Sequence, residues 1–201
     1  MKYLKRNLLL LLTILVLFIL YLEFGGRFIL DTTDKRIITF SIRSSKKLPE
    51  NFTNFYNIIY PNSLSENSWG LISHTILNSR TSRKECPCNQ MAYSLFPRID
   101  IKNKTAIDYF LVARYIEHKY NQRDCLNFNF SNFDFLEGRR GIEQVSKSLF
   151  NKNVENLSTL EMSEILALYE NPVKNNRNRY HEHAETKAQY FNYLYLKNST
   201  R

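Results

Sequence analysis

Residues 138–152 read GRRGIEQVSKSLFNK. Two of the chain's 5 glycines, Gly138 and Gly141, stand three positions apart here. Glu143 follows directly after Gly-Ile, and an amphipathic run then closes on Leu149, Phe150, Asn151 and Lys152. Glycine serves where the backbone must turn tightly or approach a neighbour closely. The pattern therefore predicts a hairpin or helix-start turn feeding straight into a helix.

Working outward, the flanking segments are helical. "TAIDYFLVARYIEHKY", Thr105 to Tyr120, carries Ile107, Phe110, Leu111 and Tyr115 at helical spacing, with Arg114 off the pattern. "LSTLEMSEILALYENP" contains a capping box, Ser158 with Glu161 three residues on, and Asn171-Pro172 ends it. "HAETKAQYFNYLYL" places Ala184, Ala188, Phe191 and Tyr195 on one face. Further upstream, "SWGLISHTILNS" and "NQMAYSLF" also fit helices, separated by a basic loop, "RTSRKECPC". "FTNFYNIIY" (52–60) fits a helix or a strand, and "RIITFSI" (36–42) alternates enough to read as a short strand.

The N-terminus gives the clearest signal. Lys2, Lys5 and Arg6 precede an apolar run from Leu8 to Leu22, with Tyr21 near its end. The run is short against the ~20 residues of a full span, but snorkelling Lys5 and Arg6 extend it. No small-x-small cleavage site follows, which favours an uncleaved signal anchor over a cleaved peptide. The positive flank then stays cytoplasmic and the bulk of the chain lies outside, on a single-pass inner or plasma membrane protein. The organisation expected is anchor 1–26, strand and connector 27–47, and a helical domain 48–201.

The net charge of +9 suits an anionic membrane surface or a phosphate-bearing ligand, but the basic residues are scattered, which fits a generally solvated basic surface better. No zinc-finger or RNA-binding signature accompanies it, so no nucleic-acid partner is expected. Cys86, Cys88 and Cys125 do not make a zinc framework, and nothing in the spacing asks for His181 and His183 as further ligands. A disulfide from Cys125 to either Cys86 or Cys88 fits an oxidising compartment, as do buried unpaired thiols a reducing one.

The segment "YIEHKYNQRDCLNFNFSNFDFLEGRRGIEQVSKSLFNK" resembles the fourth and fifth conserved segments of the family 51 glycosyltransferases, the peptidoglycan transglycosylases. Glu117, Lys119, Tyr120, Gly138, Gly141, Ile142, Glu143, Phe150 and Lys152 carry the match. Upstream, "ECPCNQMAYSLF" is similar to the family's "STITQQLAKNLF", through Gln90, Ala92, Leu95 and Phe96, with Asn89 a near match. The resemblance covers roughly residues 48–197. It implies a mainly α, lysozyme-like helical transglycosylase domain behind one N-terminal transmembrane helix. It also implies a lipid-linked peptidoglycan precursor or glycan strand as ligand, the membrane and cell-wall synthesis proteins as partners, and Asn89, Gln90, Gly141 and Glu143 as substrate-binding residues.

The family's chemistry needs a general base and positive charge on the departing lipid pyrophosphate. Here the first family Glu falls on Tyr60 and the second on Tyr109; the Arg-Lys pair falls on Thr105 and Ala106, the Lys after "QQLA" on Tyr93, and the acid of "ILELYLN" on Asn127. Glu66 and Asp108 are the nearest substitute carboxylates. A phenol titrating near ~10 is a poor base at neutral pH. The expectation is thus a degenerate, binding-only transglycosylase-like domain without cofactor, a divalent metal being implied only for an active enzyme. Its alternatives are an active divergent transglycosylase and an unrelated membrane-tethered helical module.

Overall fold

The computed structural model describes residues 2–77 and 86–199. Eleven α-helices occur among them: α1 (Lys2–Phe24), α2 (Gly26–Ile29), α3 (Thr32–Arg43), α4 (Glu50–Ile59), α5 (Ser68–Leu77), α6 (Pro87–Leu95), α7 (Ala106–Lys119), α8 (Gln122–Asn132), α9 (Ile142–Phe150), α10 (Thr159–Glu170) and α11 (His181–Ser199). The described residues hold no strand; an isolated antiparallel bridge joins Asp134 and Arg140. The chain is mainly α, as expected. Most of the basic loop expected after α5 lies outside the described residues.

The helix boundaries follow from capping chemistry. At α10, Ser158 and Glu161 form the capping box that the sequence predicts, and at α7 Thr105 and Asp108 form a second, unpredicted one. Pro87 opens α6 at a position where its missing N–H costs nothing. Asn121 caps α8 by accepting from Asp124 N at 2.8 Å.

The strand expected at 36–42 is instead part of α3. Asp31 caps it by accepting from Asp34 N at 2.7 Å. Asp34 and Ile38 are buried one turn apart, while Phe40 is 73% exposed. The alternation of Ile38, Phe40 and Ile42 mimics a strand face, but packing selects the period of four residues. Residues 52–60 form α4 and its C-cap Tyr60 rather than a strand.

Two cores share α8. One gathers Phe52, Phe55 and Tyr56 of α4, Phe130 of α8, and the inner faces of α9, α10 and α11. Within it the Phe130 ring stacks on Tyr169 at 4.3 Å and meets Phe52 edge-on at 5.0 Å. The other joins Leu30, Ile38, α6, α7 and Cys125 and Phe128 of α8. A disulfide links Cys88 on α6 to Cys125 on α8, and Cys86 is a buried free thiol. The sequence left both pairings open; the register of α6 against α8 selects Cys88.

Helix α1 has 23 residues, about 34 Å at the usual rise, enough to cross a ~30 Å hydrocarbon core. Its apolar side chains from Leu8 to Leu20 are exposed in the isolated chain. It is a candidate span or signal sequence. Its C-terminal end docks on α7, and Gly26, the first residue of α2, continues that approach: a Cβ there would stand 2.2 Å from the Leu111 carbonyl oxygen, so only glycine permits it.

Candidate functional site

The turn at 134–141 is a short antiparallel loop. Phe135 N donates to Arg139 O at 2.9 Å, and Gly141 N donates to Phe133 O at 2.9 Å. Gly138 and Gly141 both have positive φ, +75° and +82°. At Gly141 a Cβ would lie 2.6 Å from Ser131 O, so both backbone conformation and space require glycine there. Gly141 caps α9, and Arg140 N donates to Gln144 Oε1 at 2.8 Å. This fixes Arg140 at the lip of a concavity between the two cores.

That concavity, of about 170 Å3, is lined by Gln90, Ser94 and Arg98 from the α6 side and by Asn129, Asp134 and Arg140, among others, from the α8 side. Phe128, Phe133 and Tyr169 add aromatic surface. Asn129 is 5% exposed; its Nδ2 donates to Pro87 O at 2.9 Å, while its Oδ1 has no hydrogen-bond partner among the described residues. A second concavity shares Arg98, Phe128 and Asn132 and runs on to Arg36 and Phe40 of α3. The combination of guanidinium groups, amides, a free buried acceptor and aromatic faces suits a ligand bearing both phosphate and sugar hydroxyls.

Behind α6 runs a buried polar chain. The Tyr109 hydroxyl donates to Asn89 Oδ1 at 2.5 Å and lies 2.9 Å from Asn89 O. Its ring packs edge-on to Phe96 and Tyr93. Asn89 Nδ2 donates to Ser68 Oγ at 3.0 Å. Ser68 N and Oγ both donate to Glu117 Oε1 at 2.8 Å. Arg114 pairs with Glu117 and, through two nitrogens, with Glu23 at the end of α1. Trp69 Nε1 donates to Glu23 Oε2 at 2.7 Å, and His118 Nε2 stands 2.9 Å from Glu23 Oε1. Burial, then Glu117, pushes the Cys86 thiol well above its usual range, so it is protonated and inert.

The expected site residues divide. Gln90 lines the concavity, and Gly141 shapes its rim. Asn89 is buried in the polar chain, and Glu143 lies in the first turn of α9. Tyr60 is not at a groove wall: it is 8% exposed in the first core, where its hydroxyl donates to Glu170 Oε1 at 2.5 Å. Burial, then the Glu170 carboxylate, drives its ionisation far above the ordinary tyrosine range. Asp108 is held by its own capping box, accepting from Thr105 N at 2.9 Å. Glu66 folds over the start of α5, with Oε1 accepting from Asn67 N at 3.0 Å. Asn127 is structural, accepting from Leu48 N at 2.9 Å. Arg98, Asn129 and Arg140 escaped the sequence reading; Arg140 is foreshadowed only by its place beside Gly141.

A family model described as Transglycosylase matches residues 88–194, just over half of the 201-residue chain. Among curated proteins no match is found.

Proposed function

This chain belongs to the transglycosylase family, and we propose that it is a membrane-anchored member that holds lipid-linked peptidoglycan precursor or glycan without transferring it. The family acts on lipid-linked peptidoglycan precursors, which sets aside the alternative of an unrelated helical module. The single observation that carries the reading is the placement of the two tyrosines. The resemblance sets the family's catalytic carboxylates on Tyr60 and Tyr109; Tyr60 is closed into a core and bonded to Glu170, and Tyr109 is bonded to Asn89.

Loss of a general base alone costs typically ~10²–10⁴-fold in rate. Tyr60 is a worse base than free tyrosine, because burial and Glu170 both oppose its ionisation. Neither Glu66 nor Asp108 is poised as a substitute, each being engaged in local backbone bonds. Among the described residues no group of three or more His, Cys, Asp and Glu side chains gathers into a preformed metal cage. Binding has support of its own. Gln90, Arg98 and Arg140 converge on one concavity, and Asn129 Oδ1 offers it a buried acceptor.

The test is polymerisation of labelled lipid-linked disaccharide precursor by the full-length protein in detergent, with equilibrium binding measured in parallel. The expected result is saturable binding without polymer, and binding weakened at least ~10-fold by Arg140→Ala, since a charge-assisted contact contributes about 1.5–3 kcal/mol. Polymer formation abolished by Glu66→Gln or Asp108→Asn would overturn the reading in favour of an active, divergent transferase.

A further inference from the structure

A cleft between α3 and the C-terminal end of α7 adjoins the second concavity, with which it shares Arg36 and Phe40. Lys35, Arg36, Arg43 and Lys119 line it together with Phe40 and Thr39, and its volume is about 380 Å3. No carboxylate lines it, and among the described residues none of the four cations forms an ion pair. Lys119 Nζ donates to Thr39 Oγ1 at 3.2 Å and Tyr115 Oη at 3.4 Å and lies over the Tyr115 and Tyr120 rings at 5.7 and 5.6 Å. Lys35 Nζ donates to Arg27 O at 2.8 Å. Four unpaired cations around one concavity call for an anion.

The position of the cleft says which anion. Lys119 is the next residue after His118, whose ring stacks on Phe24 at 5.4 Å and whose Nε2 meets Glu23. Both of those residues are in the last turn of α1. Helix α3 begins eight residues after α1 ends and is tied back to Arg27 through Lys35. The cleft therefore opens beside the end of the apolar helix. Phe40, 73% exposed between Arg36 and Arg43 on one stripe of α3, has the aromatic-among-cations arrangement of an interfacial anchor. Phe28, 82% exposed in α2, adds a second apolar residue on the same short stretch of chain.

We propose that this cleft binds the phosphate headgroups of anionic phospholipids in the leaflet that α1 enters, with Phe40 inserted at the acyl boundary. The proposal rests on α1 being a membrane anchor. Lys119 lies on α7, which packs against α1, while Lys35, Arg36 and Arg43 lie on α3, which starts eight residues beyond α1 and is tied to Arg27, so the headgroups are the phosphates the site meets first.

The experiment uses the full chain with Phe40→Trp as reporter and Trp69→Phe to remove the other indole. It is reconstituted into phosphatidylcholine vesicles containing either brominated phosphatidylglycerol or brominated phosphatidylcholine at equal mole fraction. The expected result is indole quenching at least about twofold stronger with the brominated anionic lipid. That preference should vanish in Lys35→Gln/Arg36→Gln/Arg43→Gln. Resistance to alkaline carbonate extraction is measured on the same samples. Absent quenching in carbonate-resistant samples overturns the cleft assignment while leaving the anchor intact. Equal quenching by both lipids means bilayer contact without headgroup recognition and also overturns it. Loss of the preference in millimolar inorganic phosphate would assign the cleft to a free anion instead. Release by carbonate refutes the anchor, and the proposal falls with it by that separate readout.

Discussion

Replacing Arg114 tests the buried charge chain most directly. Its guanidinium bridges Glu117 and Glu23, and the side chains are 10%, 5% and 22% exposed. In Arg114→Met the Glu117 carboxylate stays buried, held by Ser68 and the weak Cys86 thiol but with no positive partner. Removing one member of a buried pair costs about 3–5 kcal/mol. For a chain of this size each kcal/mol lowers Tm by about 2–4 °C, so the drop should fall at roughly 6–20 °C. The assay is thermal unfolding of full-length protein in mild detergent, followed by far-ultraviolet circular dichroism. The second variant, Arg114→Met/Glu117→Met, removes the orphaned charge and should recover more than half of the loss. A Tm drop under about 2 °C in the single variant, or no recovery in the double, would refute a dry and coupled chain.

Three further outcomes follow from the geometry. Reducing Cys88–Cys125, which closes a 37-residue separation, should lower stability by about 4 kcal/mol by loop entropy, read as a fall in the denaturant midpoint, while Cys86→Ser changes it little. At Glu161, burial raises the carboxyl's pKa, but bonds from Lys152 and Ser158 outweigh it and hold the value below the usual range. Its stabilising effect should be complete above the unfolded carboxylate value of ~4.3 and lost as pH falls through the lower folded value. Glu161→Gln should therefore flatten that part of the stability–pH curve in urea titrations. Gly141→Ala, at φ +82° and ψ 158°, should cost at least about 1–3 kcal/mol by strain alone, and should misplace Arg140 so that precursor binding weakens as well.

The sequence revealed what local chemistry dictates. The start of α10 could be read from Ser158 and Glu161, because a cap is a contact within four residues. The need for glycine at position 141 was likewise legible, although its cause, the Ser131 carbonyl, was not. Helix α3 was misread because Ile38, Phe40 and Ile42 satisfy a strand period; only the burial of Asp34 against the Asp100 amide, 66 positions away, selects the other face. Arg114 looked like a blemish in an apolar stripe, yet its partner Glu23 is 91 residues upstream. The lining of the groove was mostly hidden for the same reason, since Arg98 and Asn129 meet only when α6 folds on α8. The resemblance set Tyr60 and Tyr109 at the family's carboxylate positions as an expectation. That the first is closed into a core while the second anchors Asn89 is a property of packing alone.

The clamp between α1 and α7 bears on how the molecule searches for a ligand. Phe24 on His118, Glu23 on Arg114 and Gly26 against the Leu111 carbonyl leave no slack segment between the apolar helix and the body of the domain. A head on a loose tether samples many heights and tilts above a bilayer. Under the proposed anchoring by α1, this one would keep a single attitude, its mouth would travel at constant elevation over the lipid surface, and encounter with a lipid-borne ligand would reduce to lateral diffusion in two dimensions.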